Sequence, residues 1–132
     1  MKNELFEVKK EEKYILLKML VNKIDASNAL EIKKLFISLK EENADILKNI
    51  ILNLKDVKYV DSSGLSAILV AHKISSELKG LMVLVGVSEH VLKLIKISQL
   101  DKVLELLPTE EEAVDAIFMK ELEDELGNEE NS

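Results

Sequence analysis

The sequence predicts an α/β fold, with a mixed, mainly parallel sheet of four to five strands and about four helices. Short apolar segments typical of buried strands alternate with longer segments whose apolar residues recur at helical spacing. Such alternation requires crossover connections, which place helices against a largely parallel sheet. The length of 132 residues is that of one ordinary domain, and neither a repeat nor a linker divides the chain.

Five short segments predict the strands. They are residues 4–9, 14–21, 49–54, 81–85 and 103–107. A charged turn joins the first two, and the second is almost continuously apolar, which is typical of a central strand. Pro108 ends the last strand because proline has no N–H to donate to a neighbour.

Three helices are predicted from their first and last residues. Asp25 is expected to cap the first helix, which ends near Asn43, because a carboxylate accepts the free N–H groups of a first turn. The second helix covers about 63–79, and Gly80 is its expected end. Ser88 is expected to cap the third helix.

The fourth helix begins at a capping box formed by Thr109 and Glu112 and is expected to end near Leu122. Ten acidic residues and one lysine lie between positions 110 and 130. We therefore expect one domain, residues 1–121, followed by an acidic, disordered tail, residues 122–132.

Composition excludes several classes of function. The chain has no cysteine, which rules out disulfides and thiol chemistry. A net charge of −7 and few aromatic residues argue against direct contact with nucleic acid. No apolar segment could span a membrane and the start lacks a signal peptide, so we expect a cytoplasmic protein without membrane contact. His72 and His90 lack metal-ligand spacing and an acidic partner, so we expect surface or packing roles for them, and no metal or cofactor.

The most informative segment is Asp61-Ser62-Ser63-Gly64, where a strand turns directly into a helix. A helix start carries unpaired N–H groups and a partial positive charge, so a phosphoryl group on a hydroxyl there is tolerated. Gly64 is expected to leave room for another molecule to approach closely. The alternative is that Asp61 or Ser62 is an ordinary helix cap.

The second helix is expected to have two different sides. The side predicted to pack on the sheet consists of Ala67, Val70, Ala71, Ile74 and Leu78. The opposite side consists of Leu65, Leu69, His72, Lys73 and Ser76. Two leucines on an otherwise polar side suggest contact with a partner protein, although they could equally pack under a neighbouring helix.

Four segments in order carry a resemblance to a known family. They are LKDVKYVDSSGLSAIL at 54–69, LMVLVGVS at 81–88, HVLKLIKISQLDKVLEL at 90–106 and TEEEAVDAI at 109–117. Over about residues 4–120 the chain resembles the STAS domain, named for sulfate transporters and anti-sigma factor antagonists. The resemblance implies a STAS-like fold and, among its members, the free-standing bacterial antagonists.

The resemblance also implies a function. The residue after the motif aspartate is the phosphorylated serine of the family, which corresponds to Ser62. The unphosphorylated protein would bind an anti-sigma factor that is also a serine kinase, phosphorylation would release it, and a PP2C-type phosphatase would reset the switch. The chain itself would not be an enzyme. The residues expected to contact the partner are Asp25, Asp61, Ser63, Gly64, Leu65, Leu69 and His72.

Two other functions remain open at this point. The domain could be a non-phosphorylated scaffold subunit of a signalling or lipid-transport complex. It could also be a hydrolase with Ser62 as nucleophile, although no suitable base accompanies that serine.

The chain departs from the family pattern in two places. Asn22-Lys23-Ile24-Asp25 stands where antagonists usually have Gly-Glu before the first helix, in a loop that lies near the partner surface in the family. Gln99 stands where the family tends to have glycine after the third helix. Because a left-handed glutamine costs roughly 1 kcal/mol, this turn is expected to be built differently.

Overall fold

A computed structural model describes residues 4–43 and 48–130 of the chain. The strands are β1 (Phe6–Lys10), β2 (Ile15–Met19), β3 (Lys23–Ile24), β4 (Ile50–Asn53), β5 (Tyr59–Val60), β6 (Met82–Val85) and β7 (Glu105–Leu107). The helices are α1 (Ala29–Asn43), α2 (Ser62–Glu77), α3 (Glu89–Ile97) and α4 (Glu110–Glu130). A single 3-10 turn, Leu100–Lys102, follows α3. All five predicted strands and all four predicted helices are present, with shifted ends.

The main sheet has the strand order β1-β2-β4-β6-β7. Strands β1 and β2 form an antiparallel hairpin, and every other neighbouring pair in this sheet is parallel. Leu17, Leu52 and Leu84 stand opposite one another across the three central strands. The prediction of a mixed, mainly parallel sheet is therefore confirmed.

Helices cover both faces of this sheet. Leu52 and Leu84 belong to the larger core, which is shared with α1, α2 and α3. The alternate residues Ile51 and Val83 point the other way and pack with Ile117 of α4. Because both faces are buried, the central strands are apolar without alternation, as the sequence indicated.

A second, two-stranded sheet was not predicted. Strands β3 and β5 pair in parallel, with Lys23 opposite Tyr59 and Ile24 opposite Val60. Each strand has two residues, which is too short to show a strand periodicity in the sequence. This small sheet holds the segment before α1 against the segment before α2.

The predicted cap of α1 is wrong. The helix begins at Ala29, and a turn separates it from Asp25. The Asp25 carboxylate accepts the N–H of Ser27 at 3.0 Å within that turn. Aspartate therefore stabilises the turn that leads into the helix rather than the helix itself.

The end of α2 also differs from the prediction. Lys79, with a φ of 62°, is the left-handed residue. The N–H of Gly80 bonds to the carbonyl of Ser75 and that of Lys79 to the carbonyl of Ser76, which is the Schellman arrangement. Gly80 is required for another reason, because a side chain there would collide with the carbonyl of Lys48.

The turn after α3 contains a left-handed residue, as it would with glycine, so the expectation that this turn is built differently is wrong. Gln99 itself adopts the left-handed conformation, with a φ of 61°. Its N–H bonds to the carbonyl of Lys96 at 3.0 Å, and the Ser98 hydroxyl bonds to the carbonyl of Leu94 at 2.5 Å. The predicted cap of α3 is confirmed, since Ser88 accepts the N–H of Val91 at 3.4 Å.

The start of α4 agrees with the prediction and its end does not. The Thr109 hydroxyl accepts the N–H of Glu112 at 3.2 Å, as in a capping box. The helix then continues past Leu122 to Glu130, so residues 122–130 of the predicted disordered tail are helical. An ion pair between Lys120 and Asp124, 2.9 Å apart, joins successive turns across the expected end.

The end of the tail, residues 131 and 132, lies outside the described residues. Among the helices of residues 4–43 and 48–130, none is both long and apolar enough to cross a membrane.

Candidate functional site

Asp61 fixes the start of α2. Its Oδ1 accepts the N–H of Gly64 at 2.9 Å, and its carbonyl accepts the N–H of Leu65 at 2.9 Å. Its own N–H donates to the carbonyl of Ile24 at 3.3 Å. Asp61 is therefore the helix cap, as the alternative interpretation of the motif stated, and the cap requires neither serine hydroxyl.

Ser62 is the first residue of α2 and is exposed, whereas Ser63 is half-buried. Among residues 4–43 and 48–130, the Ser62 hydroxyl has no hydrogen-bond partner. Because Asp61 performs the capping, Ser62 is not needed for the stability of the helix. A hydroxyl in this position is accessible to a modifying enzyme.

Gly64 does not leave room for another molecule, which corrects the expectation from sequence. The residue is buried, and a Cβ there would collide with the carbonyl of Ile24. The same Cβ would lie 2.8 Å from Cγ1 of Val60. The space beside Gly64 is filled by the chain's own β3, so its role is to let α2 approach the small sheet.

The small sheet brings a second carboxylate to the site. Asp25 follows Ile24 and Asp61 follows Val60, and these two strand residues are paired in parallel. The two aspartates therefore leave the same end of the small sheet. The departure from the family pattern at residues 22–25 is thus located beside the Asp61–Ser62 turn.

Hydrogen bonding lowers the pKa of Asp25. The Ser27 hydroxyl, 2.5 Å from Oδ1, lowers the pKa of Asp25 most, and the Ser27 N–H adds to this effect. Lys23, whose Nζ lies 3.7 Å from Oδ2, lowers the pKa further. Burial acts in the opposite direction and does not prevail.

The two leucines of α2 are not the exposed pair that was predicted. Leu65 is 6% exposed and belongs to the main core, and Leu69 is partly buried against the same core. Helix α1 packs along α2, but the side of α2 turned away from the sheet is only partly covered, because Lys73 and Ser76 on that side are exposed. Leu65 is therefore a core residue of the domain rather than an exposed partner contact.

His72 lies away from the turn. It is half-buried and ten residues beyond Ser62, which places it about 15 Å further along the helix. Of the predicted site residues that lie together at the turn, four are at least partly exposed, namely Asp25, Asp61, Ser62 and Ser63.

A contact near the turn was missed by sequence reasoning. The ring of Tyr59 stacks on that of His90, with centroids 5.3 Å apart and an angle of 19° between the rings. Tyr59 is 46% exposed and lies two residues before Asp61. Because the two rings are 31 positions apart in the chain, no local pattern could have paired them.

Metal binding finds no support within the described part of the chain. No group of three or more His, Asp or Glu side chains in residues 4–43 and 48–130 is arranged to hold a metal ion.

The STAS domain family model matches residues 7–113 of the chain. The chain belongs to the STAS domain family. The match begins in β1, includes the Asp61-Ser62-Ser63-Gly64 turn and ends in the first turn of α4. The resemblance read from the sequence is thereby confirmed.

Solved structures agree with the family. A Thermotoga maritima protein with a proposed role as an anti-sigma factor antagonist is 28% identical, with a TM-score of 0.73 over 85% of this chain and 93% of that chain. A STAS domain antagonist protein from Planctomyces limnophilus is 17% identical, with a TM-score of 0.76 over 85% and 97%. The Bacillus antagonist SpoIIAA in its unphosphorylated form is 20% identical, with a TM-score of 0.64 over 85% and 96%. This STAS domain thus has free-standing anti-sigma factor antagonists among its structural neighbours.

Proposed function

We propose that this STAS domain is an anti-sigma factor antagonist whose binding to its partner is controlled by phosphorylation of Ser62. The observation that carries the proposal is the exposed hydroxyl of Ser62 directly after the capping aspartate, which has no hydrogen-bond partner in the described part of the chain. Ser63 is half-buried, so exposure favours the same serine that the family pattern favours. SpoIIAA, which shares this fold, has been solved in unphosphorylated and phosphorylated forms.

Electrostatics explains how such a modification would act. A phosphoryl group adds a charge of about −1.5 to −2 at neutral pH. It would stand next to the Asp61 carboxylate and near the ionised Asp25. A partner surface that accommodates two carboxylates would then face about twice the negative charge and a larger side chain. The partner protein would therefore dissociate.

The partners follow from the same proposal. The unphosphorylated form binds an anti-sigma factor that is also a serine kinase, and a PP2C-type phosphatase restores that form. The protein acts by binding and does not catalyse a reaction. Tyr59 and His90 extend the exposed surface beside the turn, so we include them in the contact with the partner.

Mass spectrometry tests the modified residue. We expect incubation with ATP and the serine-kinase anti-sigma factors of the same genome to place one phosphate on Ser62. The Ser62→Ala variant should remain unmodified, whereas Ser63→Ala, the matched control, should be phosphorylated as the unaltered protein is. Phosphate on Ser63, or none with a kinase that is active on another antagonist, would contradict the proposal.

A pull-down separates the switch from a scaffold. Ser62→Ala should retain the anti-sigma factor, and Ser62→Asp should recover at least tenfold less of it. Equal recovery by the two variants would favour a constitutive scaffold subunit in a signalling or lipid-transport complex.

A further inference from the structure

Helix α4 has two apolar sides. One side carries Ala113 and Ile117, which are fully buried against the main sheet. The other side is in contact with solvent and consists of Phe118, Met119, Leu122 and Leu126, which are 49%, 56%, 49% and 51% exposed. We call these four residues the outer stripe.

The outer stripe is continuous on the helix surface. Phe118, Leu122 and Leu126 follow one another at intervals of four residues, and Met119 lies beside Leu122 and Leu126 at intervals of three and seven. At 100° per residue the stripe is turned almost directly away from Ile117 and the sheet. Contiguous exposed apolar side chains of this kind mark interaction surfaces, whereas isolated ones need no explanation.

Acidic residues frame the outer stripe. Asp115 precedes it on the same side of the helix, and Glu123 and Glu125 lie on its two borders, all of them exposed. Within residues 4–43 and 48–130 none of these three carboxylates has an ion-pair partner. Lys120 lies on the opposite border of the helix and is paired with Asp124.

This combination identifies the kind of partner. A second copy of the chain would present the same acidic frame, and the like charges would repel. A bilayer surface attracts amphipathic helices whose polar side is basic, which is the reverse of the charge here. A partner helix with an apolar side bordered by cationic side chains fits this surface. Its apolar side covers the outer stripe, and its cations pair with the acidic residues that border the stripe.

We propose that the outer stripe of α4 is a docking site for a basic amphipathic helix of another protein. The site lies on the opposite face of the main sheet from α1 and α2. It is therefore separate from the Ser62 turn and can be occupied in either phosphorylation state. The proposal does not depend on the function proposed for Ser62.

Two synthetic peptides of identical composition test the proposal. Both contain only leucine and lysine, and one places its leucines on a single helical side while the other has them scrambled. We expect isothermal titration calorimetry with the full chain to show binding of the amphipathic peptide, at least tenfold weaker binding of its scrambled isomer, and weakening of the amphipathic complex by salt.

Protein variants locate the binding. The double variant Leu122→Ser, Leu126→Ser should bind the amphipathic peptide at least tenfold more weakly, with an unchanged circular dichroism spectrum. The matched control is Ile97→Ser, which removes a still more exposed apolar side chain from α3 and should bind as the unaltered protein does. Phosphorylation of Ser62 should not change the affinity.

Three results would overturn the proposal. The first is equal affinity for the two peptides, and the second is undiminished binding by the double variant. The third is that the protein forms a dimer in sedimentation, or binds phosphatidylglycerol vesicles, and that the double variant loses this association. The outer stripe would then bind a second copy of the chain or a membrane.

Discussion

At the scale of single residues, the turn at 61–64 divides its tasks among neighbours. Asp61 caps the helix, Gly64 allows contact with β3, and the Ser62 hydroxyl forms no hydrogen bond within residues 4–43 and 48–130. This division permits a charge to be added at Ser62 without loss of a stabilising interaction. A serine that served as the cap itself would have to give up its hydrogen bond on modification.

Gly64 provides a stability prediction. Gly64→Ala should lower the free energy of unfolding by about 1 to 3 kcal/mol, because the added methyl group forces the carbonyl of Ile24 and the side chain of Val60 apart from α2. The midpoint of urea unfolding measures this change.

A second glycine supplies the control for that experiment. Gly127 lies in α4 with nothing near its missing side chain, so Gly127→Ala should raise stability by up to about 1 kcal/mol. Equal stability of Gly64→Ala and Gly127→Ala would contradict the close contact between α2 and β3.

The residues of the turn were the most predictable from sequence, because capping and phosphate acceptance depend on local chemistry. The buried position of Leu65 was not. Helical spacing assigns Leu65 to the side away from the sheet, but it cannot show that this residue is buried in the main core. The stack of Tyr59 on His90 likewise depends on how β5 meets α3.

At the scale of elements, one polar cluster holds α4 against the sheet. Asn49 is fully buried, and its Nδ2 donates to Glu121 at 2.6 Å and to the carbonyl of Lys13 at 2.9 Å. Its Oδ1 accepts the N–H of Leu81 at 2.9 Å, and Lys48 pairs with Glu121 at 3.0 Å. One amide and one carboxylate thus connect the β1–β2 turn, the starts of β4 and β6, and α4.

The same cluster explains why the end of α4 was misjudged. The sequence between positions 121 and 130 is strongly acidic, and its local support for a helix is limited to weak pairs at four-residue spacing, such as Lys120–Asp124 and Leu122–Leu126. The anchor for this part of the helix is supplied by Asn49 and Lys48, which are more than 70 positions away. Local composition therefore predicted a tail where a distant contact stabilises a helix.

Glu121 provides a prediction about pH. Burial raises the pKa of Glu121, but the hydrogen bonds from Lys48 and Asn49 outweigh it and place the pKa below the ordinary value of 4.5. A carboxylate with a lowered folded-state pKa contributes stability that is fully present above 4.5 and is lost as the pH falls through the folded-state pKa. Glu121→Gln should therefore be less stable than the unaltered protein by about 1 to 2 kcal/mol at pH 7, and the difference should shrink below pH 4.5.

Urea unfolding over a range of pH measures this difference. Glu123→Gln is the matched control, since Glu123 is exposed and has no ion pair among the described residues, and it should show no such dependence. If the difference in free energy of unfolding between Glu121→Gln and the unaltered protein stayed constant down to pH 3, the ionised carboxylate would not be what holds α4 in place.

At the scale of the whole molecule, the main sheet separates two surfaces. The Ser62 turn belongs to the face covered by α1, α2 and α3, and the outer stripe belongs to α4 on the other face. A protein built in this way could bind its switch partner and a second protein at the same time. The alternation of strands and helices predicted this layered arrangement, whereas the small β3–β5 sheet that positions the turn was too short to predict.

The most direct test of the Ser62 switch is the affinity of the anti-sigma factor for two forms of this protein, unphosphorylated and stoichiometrically phosphorylated on Ser62. Isothermal titration calorimetry should show binding of the unphosphorylated form and at least a tenfold weaker affinity for the phosphorylated form. Equal affinity for the two forms would contradict the claim that Ser62 is the switch.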